Sequence, residues 1–138
     1  MILNYHGPFE LKYAHDGDAG MDLCSNEDIL LYPHSRHVVG TGMYVEIPTG
    51  CVGLIHPRSG LAGKHGITVL NTPGTVDSGY RGEIKVILYN ANDNHYQIHR
   101  GDRIAQLVIQ EYISVNPVIN YEMAQSERGI DGFGSTGI

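Results

Sequence analysis

The sequence predicts an all-β domain of the jelly-roll type. Composition is the first reason: 18 glycines, six prolines and nine tyrosines in 138 residues favour turns and strands over helices. Periodicity is the second, because apolar and polar residues alternate in short runs, the pattern of strands with one face buried. Punctuation is the third, since turn-forming residues separate those runs at short, even intervals. A chain of 138 residues forms one domain. It buries roughly 65–70% of the surface exposed when unfolded, enough for a core without a disulfide or a metal clip.

Taken in order, strands are expected over residues 21–25, 29–32, 38–47 and 51–56. A single short helical turn is expected around residues 59–64, then a strand over 67–70. Residues 83–90 read as a strand with Ile84, Val86 and Leu88 on one face. Residues 103–109 read as another, with Ala105, Leu107 and Ile109 on one face. A last strand is expected over 115–121. Turns fall at Pro33, Pro48-Thr49-Gly50, Asn92-Asp93-Asn94 and Arg100-Gly101-Asp102, the last carrying an internal ion pair. Many short strands of this spacing suit a sandwich or jelly roll. The division expected is a core over residues 1–125 and a glycine-rich arm over 126–138, which has almost nothing to pack into a core.

Charge and cysteine usage exclude several classes of function. A net charge of −6 argues against a nucleic-acid binder, which needs a basic face. Only Lys12 and Arg36 precede Pro57, whereas Arg58, Lys64, Arg81, Lys85, Arg100, Arg103 and Arg128 follow it. Cations gathered in glycine-rich segments of an acidic protein can hold a compact polyanion. Cys24 and Cys51 lie in strand-like surroundings without a C-x-x-C partner, so free thiols in a reducing, cytoplasmic compartment are expected. No apolar run approaches the ~20 residues of a membrane span, and no membrane partner is expected. His95 and His99 sit four apart, but in a strand-like segment they do not share a face as helical zinc ligands would.

Chemistry concentrates between Pro57 and Glu83. Pro57-Arg58-Ser59-Gly60-Leu61-Ala62-Gly63-Lys64-His65-Gly66 supplies a guanidinium, a hydroxyl and backbone amides freed by glycine, the donors a phosphate needs. Asn71 to Glu83 is a turn-rich hairpin with one acid, Asp77, and one ring, Tyr80. An anion cradle beside a lone acid and an aromatic suits a phosphorylated, ring-bearing substrate and an activated water. The arm contains Gly132-Phe133-Gly134-Ser135-Thr136-Gly137. That spacing is no dinucleotide fingerprint, which must open a helix. Its glycines still let amides wrap an anion, with hydroxyl donors from Ser135 and Thr136 and a cation at Arg128.

The arm from Arg128 resembles the C-terminal motif of the homotrimeric dUTPases, and the likeness extends along the chain. Ala19-Gly20-Met21-Asp22-Leu23 is similar to the first family motif, Pro57–Gly66 to the second and Asn71–Glu83 to the third. Arg100-Gly101-Asp102-Arg103-Ile104-Ala105-Gln106-Leu107-Val108-Ile109 is similar to the fourth. The resemblance implies a distorted jelly roll, or β-clip, that hydrolyses dUTP to dUMP and pyrophosphate with Mg²⁺. It implies a homotrimer in which each arm closes over a neighbour's site. Asp77 would be the general base for water attack on the α-phosphorus. Asn71 would read the uracil edge, and Tyr80 would pack on the deoxyribose and exclude a 2′-hydroxyl. Arg58, Ser59, Gly60 and Gln106 would hold the triphosphate. Arg128, Ser135 and Thr136 would close on the γ-phosphate, with Gly134 in the wrapping backbone and Phe133 stacked on the base. Asp22 would touch Mg²⁺ only through water.

Two positions depart from the family pattern: Gly79 stands where Asp is usual, and Asp131 where Gly is usual. Gly79 loosens the hairpin, and Asp131 puts a negative charge into an arm that should close on a polyanion. Three other readings stay open at this stage. One is a catalytically weak, phage-type regulatory module that binds dUTP. Another is a dCTP deaminase-like enzyme, which would need a base-directed acid where this chain has the Asp77–Tyr80 hairpin. The last is a purely structural jelly roll, such as a capsid or lectin domain, which leaves the motifs unexplained.

Overall fold

A computed structural model describes residues 1–137, so the final residue of the expected arm lies outside the described residues. The strands are β1 (Asn4–His6), β2 (Gly20–Cys24), β3 (Ile29–Leu31), β4 (Arg36–Glu46) and β5 (Cys51–His56). After the helix α1 (Ser59–His65) come β6 (Ile67–Val69), β7 (Gly74–Val76), β8 (Glu83–Asn90), β9 (Tyr96–Ile98) and β10 (Arg103–Glu111). One sheet has the order β1-β4-β8-β6, a second β2-β10-β5-β7, and a small third sheet pairs β3 with β9. Every pairing is antiparallel. The fold is the all-β, jelly-roll-like one the periodicity calls for.

One core joins the sheets. Val39, Met43 and Val45 of β4 and Ile84, Val86 and Leu88 of β8 pack in the same cluster as Leu23 of β2, Ile55 of β5 and Leu107 of β10. Ile84, Val86 and Leu88 share the buried face, as alternation requires. In β10 the alternation breaks, because Ile104 and Ala105 are both buried. The cause is a shift in the β2–β10 register between Arg103 and Ala105, which lets two consecutive side chains turn inward.

A second bulge lies in β4, where pairing with β8 shifts between Gly40 and Met43. The buried Thr41 hydroxyl satisfies the interrupted ladder: it donates to the Ile84 carbonyl at 2.5 Å and accepts from the Met43 amide at 3.1 Å. Gly42 takes φ = 68°, the left-handed conformation natural to glycine. Asn90 ties the small sheet to the large one. Its side-chain amide donates to Leu31 O at 3.1 Å and Asn94 O at 2.8 Å, while its carbonyl accepts from the Asn92 amide at 2.9 Å. Such a buried amide is tolerable only because it is bonded on both sides.

Three local expectations need correction. Residues 115–121 form no strand: they are coil, with Val115 75%, Val118 78% and Tyr121 95% exposed. Pro117 cannot donate to a ladder, and among the described residues no strand pairs with them. Arg100-Gly101-Asp102 is a turn, but without an internal ion pair. Arg100 Nε donates to Asn26 Oδ1 at 3.0 Å and its guanidinium lies 5.1 Å above the Phe9 ring, while Asp102 accepts from the His99 amide at 2.8 Å. Residues 71–83 form no paired hairpin: β7, unanticipated like β1, pairs with β5 in the second sheet, while β8 joins β4 and β6 in the first.

Candidate functional site

The middle of the second sheet carries the residues expected to bind an anion. β10 runs between β2 and β5, and Gln106 faces Asp22 on one side and His56 on the other. Gly20 makes room for it, since a Cβ there would stand 2.3 Å from Gln106 Oε1. Glycine inside a strand often marks such a close approach. Gln106 Nε2 donates to Pro57 O at 3.0 Å, fixing the amide beside the start of α1.

At that start Arg58 is extended (φ −96°, ψ 129°), and its side chain makes no capping bond to the helix. The guanidinium reaches sideways instead. Nε pairs with Asp22 Oδ1 at 3.1 Å, and Nη1 donates to Arg103 O at 3.2 Å. Arg103 Nη1 approaches the other oxygen of Asp22 at 3.5 Å. Asp22 thus orients two guanidiniums, while Arg58 Nη2 stays available to an incoming oxygen. The first-turn amides of a helix lack intrahelical acceptors. A Cβ on Gly60 would meet nothing within 4 Å, so the backbone there is open to close approach. Asp22, Arg58, Ser59, Gly60, Arg103 and Gln106 line one polar hollow.

A second hollow, of about 220 Å³, gathers the other predicted residues. Asn71, Asp77 and Tyr80 form its polar rim, and Ile55, Val76, Ile84 and Ile87 give it an apolar side. Asp77 follows β7 directly and is exposed. The turn closes when the Tyr80 amide donates to Asp77 O at 3.0 Å. The Tyr80 ring then folds back, its hydroxyl donating to Glu83 O at 2.9 Å. Gly82 permits that pose, because a Cβ there would lie 2.3 Å from the Tyr80 hydroxyl oxygen. The rim presents a carboxylate and a ring over an apolar floor, which suits a nucleoside and a water needing a base.

The two hollows share no lining residue. The arm completes neither: Arg128, Phe133, Gly134, Ser135 and Thr136 line neither hollow, and Phe133 is fully exposed. Within the arm, Arg128 Nε donates to Asp131 O at 2.9 Å, holding a local turn. Among the described residues no group of three or more His, Cys, Asp or Glu could hold a metal ion. No helix of the described residues is long and apolar enough to cross a membrane.

Sequence reasoning gave no individual role to Arg103, Gly20 or Gly82. The two glycines carried the one signal available, a glycine inside or beside a strand. Arg103 shows its role only through the register that puts it across from Cys24 and near Asp22.

Cys24, half-buried, stands across from Arg103 in the β2–β10 register. Burial pushes its thiol pKa up and the nearby Asp22 charge adds to that, against the opposing pull of Arg103 and Arg58. The protonated form is therefore favoured in the fold, a preference present at neutral pH and lost as pH rises through the raised value. Iodoacetamide at about pH 8 should alkylate Cys24 in the native protein more slowly than free cysteine. Labelling as fast as free cysteine would show that the thiol is neither sheltered nor held protonated.

Comparison with known proteins adds a family to this geometry. A family model described as dUTPase matches residues 10–137. The chain is 54% identical over 132 residues to a deoxyuridine 5′-triphosphate nucleotidohydrolase of Bifidobacterium longum, covering 95% of this chain and 84% of that one. It is 55% identical over 125 residues to the protein of the same name from Nocardia farcinica, covering 90% of this chain and 76% of that one. Among solved structures, the dUTPase of Staphylococcus bacteriophage 80alpha with dUPNHPP superimposes with a TM-score of 0.92 at 31% identity, covering 99% of each chain. A dUTPase variant from phage phi11 of S. aureus, described with a coordinated structural Mg(II) ion, superimposes with a TM-score of 0.81 at 28% identity, covering 88% of this chain and 98% of that one.

Proposed function

Because the chain belongs to the dUTPase family, we propose how its residues divide the work of hydrolysing dUTP to dUMP and pyrophosphate. The enzyme is a dUTP diphosphatase. One observation carries the division of labour. One hollow gathers the residues proposed for the triphosphate and another those proposed for the nucleoside, and the two share no lining residue. A base that activates water must stand within hydrogen-bond reach of it. That separation supports a site completed where copies of the chain meet. A homotrimer with sites at its interfaces fits that arrangement. The exposed apolar residues Val115, Val118, Ile119 and Tyr121 support it as surface left for a neighbour.

In the assembled site Asp77 takes the proton of the water that attacks the α-phosphorus. Asn71 and the backbone of the segment from β7 to the Tyr80 turn hold the uracil edge, and the Tyr80 ring covers the deoxyribose and leaves no room for a 2′-hydroxyl. Arg58, the amides at Ser59 and Gly60, and Gln106 bind the triphosphate and offset charge on its oxygens. The arm closes last, with Arg128, Ser135 and Thr136 on the γ-phosphate, Gly134 in the wrapping backbone and Phe133 over the base.

The donors present suit Mg²⁺ only as a companion of the substrate. Asp22 is already held by Arg58 and Arg103, so its fitting role is to hold the ion through water. Mg²⁺ prefers phosphate oxygens and keeps several waters, and when bound it offsets phosphate charge. With both cysteines free and a nucleotide as substrate, the reading sets the enzyme in a reducing cytoplasm.

The test is pyrophosphate release from dUTP with Mg²⁺, with UTP, dTTP and dCTP alongside, together with sedimentation. Selective release from dUTP by a trimer is expected. A fully active, stable monomer would end the interface reading, and equal release from UTP would end the role given to Tyr80.

A further inference from the structure

The Asp77–Tyr80 turn must be rigid to aim a base and a ring, yet little packing holds it. A Cβ on Gly79 would meet nothing within 4 Å, and Asp77, Gly79 and Tyr80 are all exposed. Glycine at the centre of a loop adds conformational freedom. The two carbonyls flanking that glycine are both capped by one side chain. Arg81 Nη1 donates to Ser78 O at 2.7 Å and to Tyr80 O at 3.0 Å. Its Nη2 lies 3.3 Å from Glu46 Oε1 at the end of β4. The other oxygen of Glu46 accepts from Asn4 Nδ2 at 3.1 Å, and Asn4 faces Glu46 in the β1–β4 register.

We propose that Arg81 is a positioning residue for dUTP hydrolysis, the end of a strut from Asn4 through Glu46 that pins the backbone on both sides of Gly79. The inference rests on the roles given above to Asp77 and Tyr80. A planar guanidinium suits the task, because its fork can span two carbonyls and a carboxylate at once; a lysine is a point charge and cannot. The strut contributes little to global stability. Arg81 and Glu46 side chains are 58% and 52% exposed, and ion pairs so exposed are weak. Its effect falls on the aim of the turn, so it should be read in kinetics.

The experiment measures kcat and KM for dUTP and UTP, with the melting temperature, for Arg81→Ala, Arg81→Lys, Glu46→Ala, the Arg81→Ala/Glu46→Ala pair and Asp77→Asn. Arg81→Ala should lower kcat/KM for dUTP roughly tenfold, the scale of a slightly misaimed catalytic group. It should also reduce the preference for dUTP over UTP, because the Tyr80 ring is no longer held, while the melting temperature stays near wild type. Arg81→Lys should fall between. Glu46→Ala should act in the same direction, and the pair should add little to Arg81→Ala alone, as members of one network do. An unchanged dUTP-to-UTP preference in Arg81→Ala, strictly additive effects, or activity lost only in step with the fold would overturn the strut. Asp77→Asn separates the two levels. If it turns over like wild type, the site reading fails and the strut with it; if it is slow while Arg81→Ala is kinetically normal, only the strut fails.

Discussion

Replacing Asp77 with Asn should leave dUTP binding nearly intact and slow turnover about 10²–10⁴-fold, the usual worth of positioned proton transfer. The substitution keeps the size and polarity of the side chain and removes only its capacity to take a proton. Among the described residues the Asp77 carboxylate makes no ion pair, and the turn bond uses its backbone carbonyl instead. The fold and the Tyr80 pose should therefore survive. Single-turnover kinetics with equilibrium dUTP binding would check both halves. Wild-type turnover in this variant would remove Asp77 from the chemistry, and lost binding would make it a substrate-holding residue instead.

Truncation after Glu127 should be nearly as severe for hydrolysis and harmless to the core. Among the described residues, neither the buried core nor the side chains packed against it extend beyond Ile109, and residues 128–137 are almost all exposed. What departs is Arg128, Phe133, Gly134, Ser135 and Thr136. A closing segment excludes water and aligns the phosphate chain, and losing such alignment costs about 10²-fold or more in rate. Circular dichroism and sedimentation should match the full chain while pyrophosphate release collapses. Normal hydrolysis by the truncated enzyme would mean that the arm does not close on the site. Asp131 bears on the same point: its backbone carbonyl, not its carboxylate, accepts from Arg128 Nε at 2.9 Å. In this arrangement the guanidinium is turned toward its own arm.

Much of the fold was legible because its strands obey the simplest rule, alternation against one core. Ile84, Val86 and Leu88 show it without exception. The rule failed where burial came from a bulge, as at Ile104–Ala105, or where an apolar run had no partner strand in its own chain. Residues 115–121 alternate well enough to read as a strand, and their exposure reflects a missing neighbour and a proline, neither of which periodicity weighs. In the candidate site, the residues singled out by type gather in two hollows: Arg58, Ser59, Gly60 and Gln106 in one, Asn71, Asp77 and Tyr80 in the other. Hidden from sequence were the residues that act through space. Gly20 matters because of Gln106, Gly82 because of Tyr80, and Arg81 because Glu46 and Asn4 stand where register puts them.

The uncovered stretch from Tyr112 to Met123 has a consequence for the life of a newly made chain. An isolated protomer shows water Ile113 at 89%, Ile119 at 82% and Met123 at 83% exposure, a run that invites indiscriminate association. If like chains cover it, stability follows mass action. Dilution then weakens fold and catalysis together, and abundance itself becomes a condition for activity.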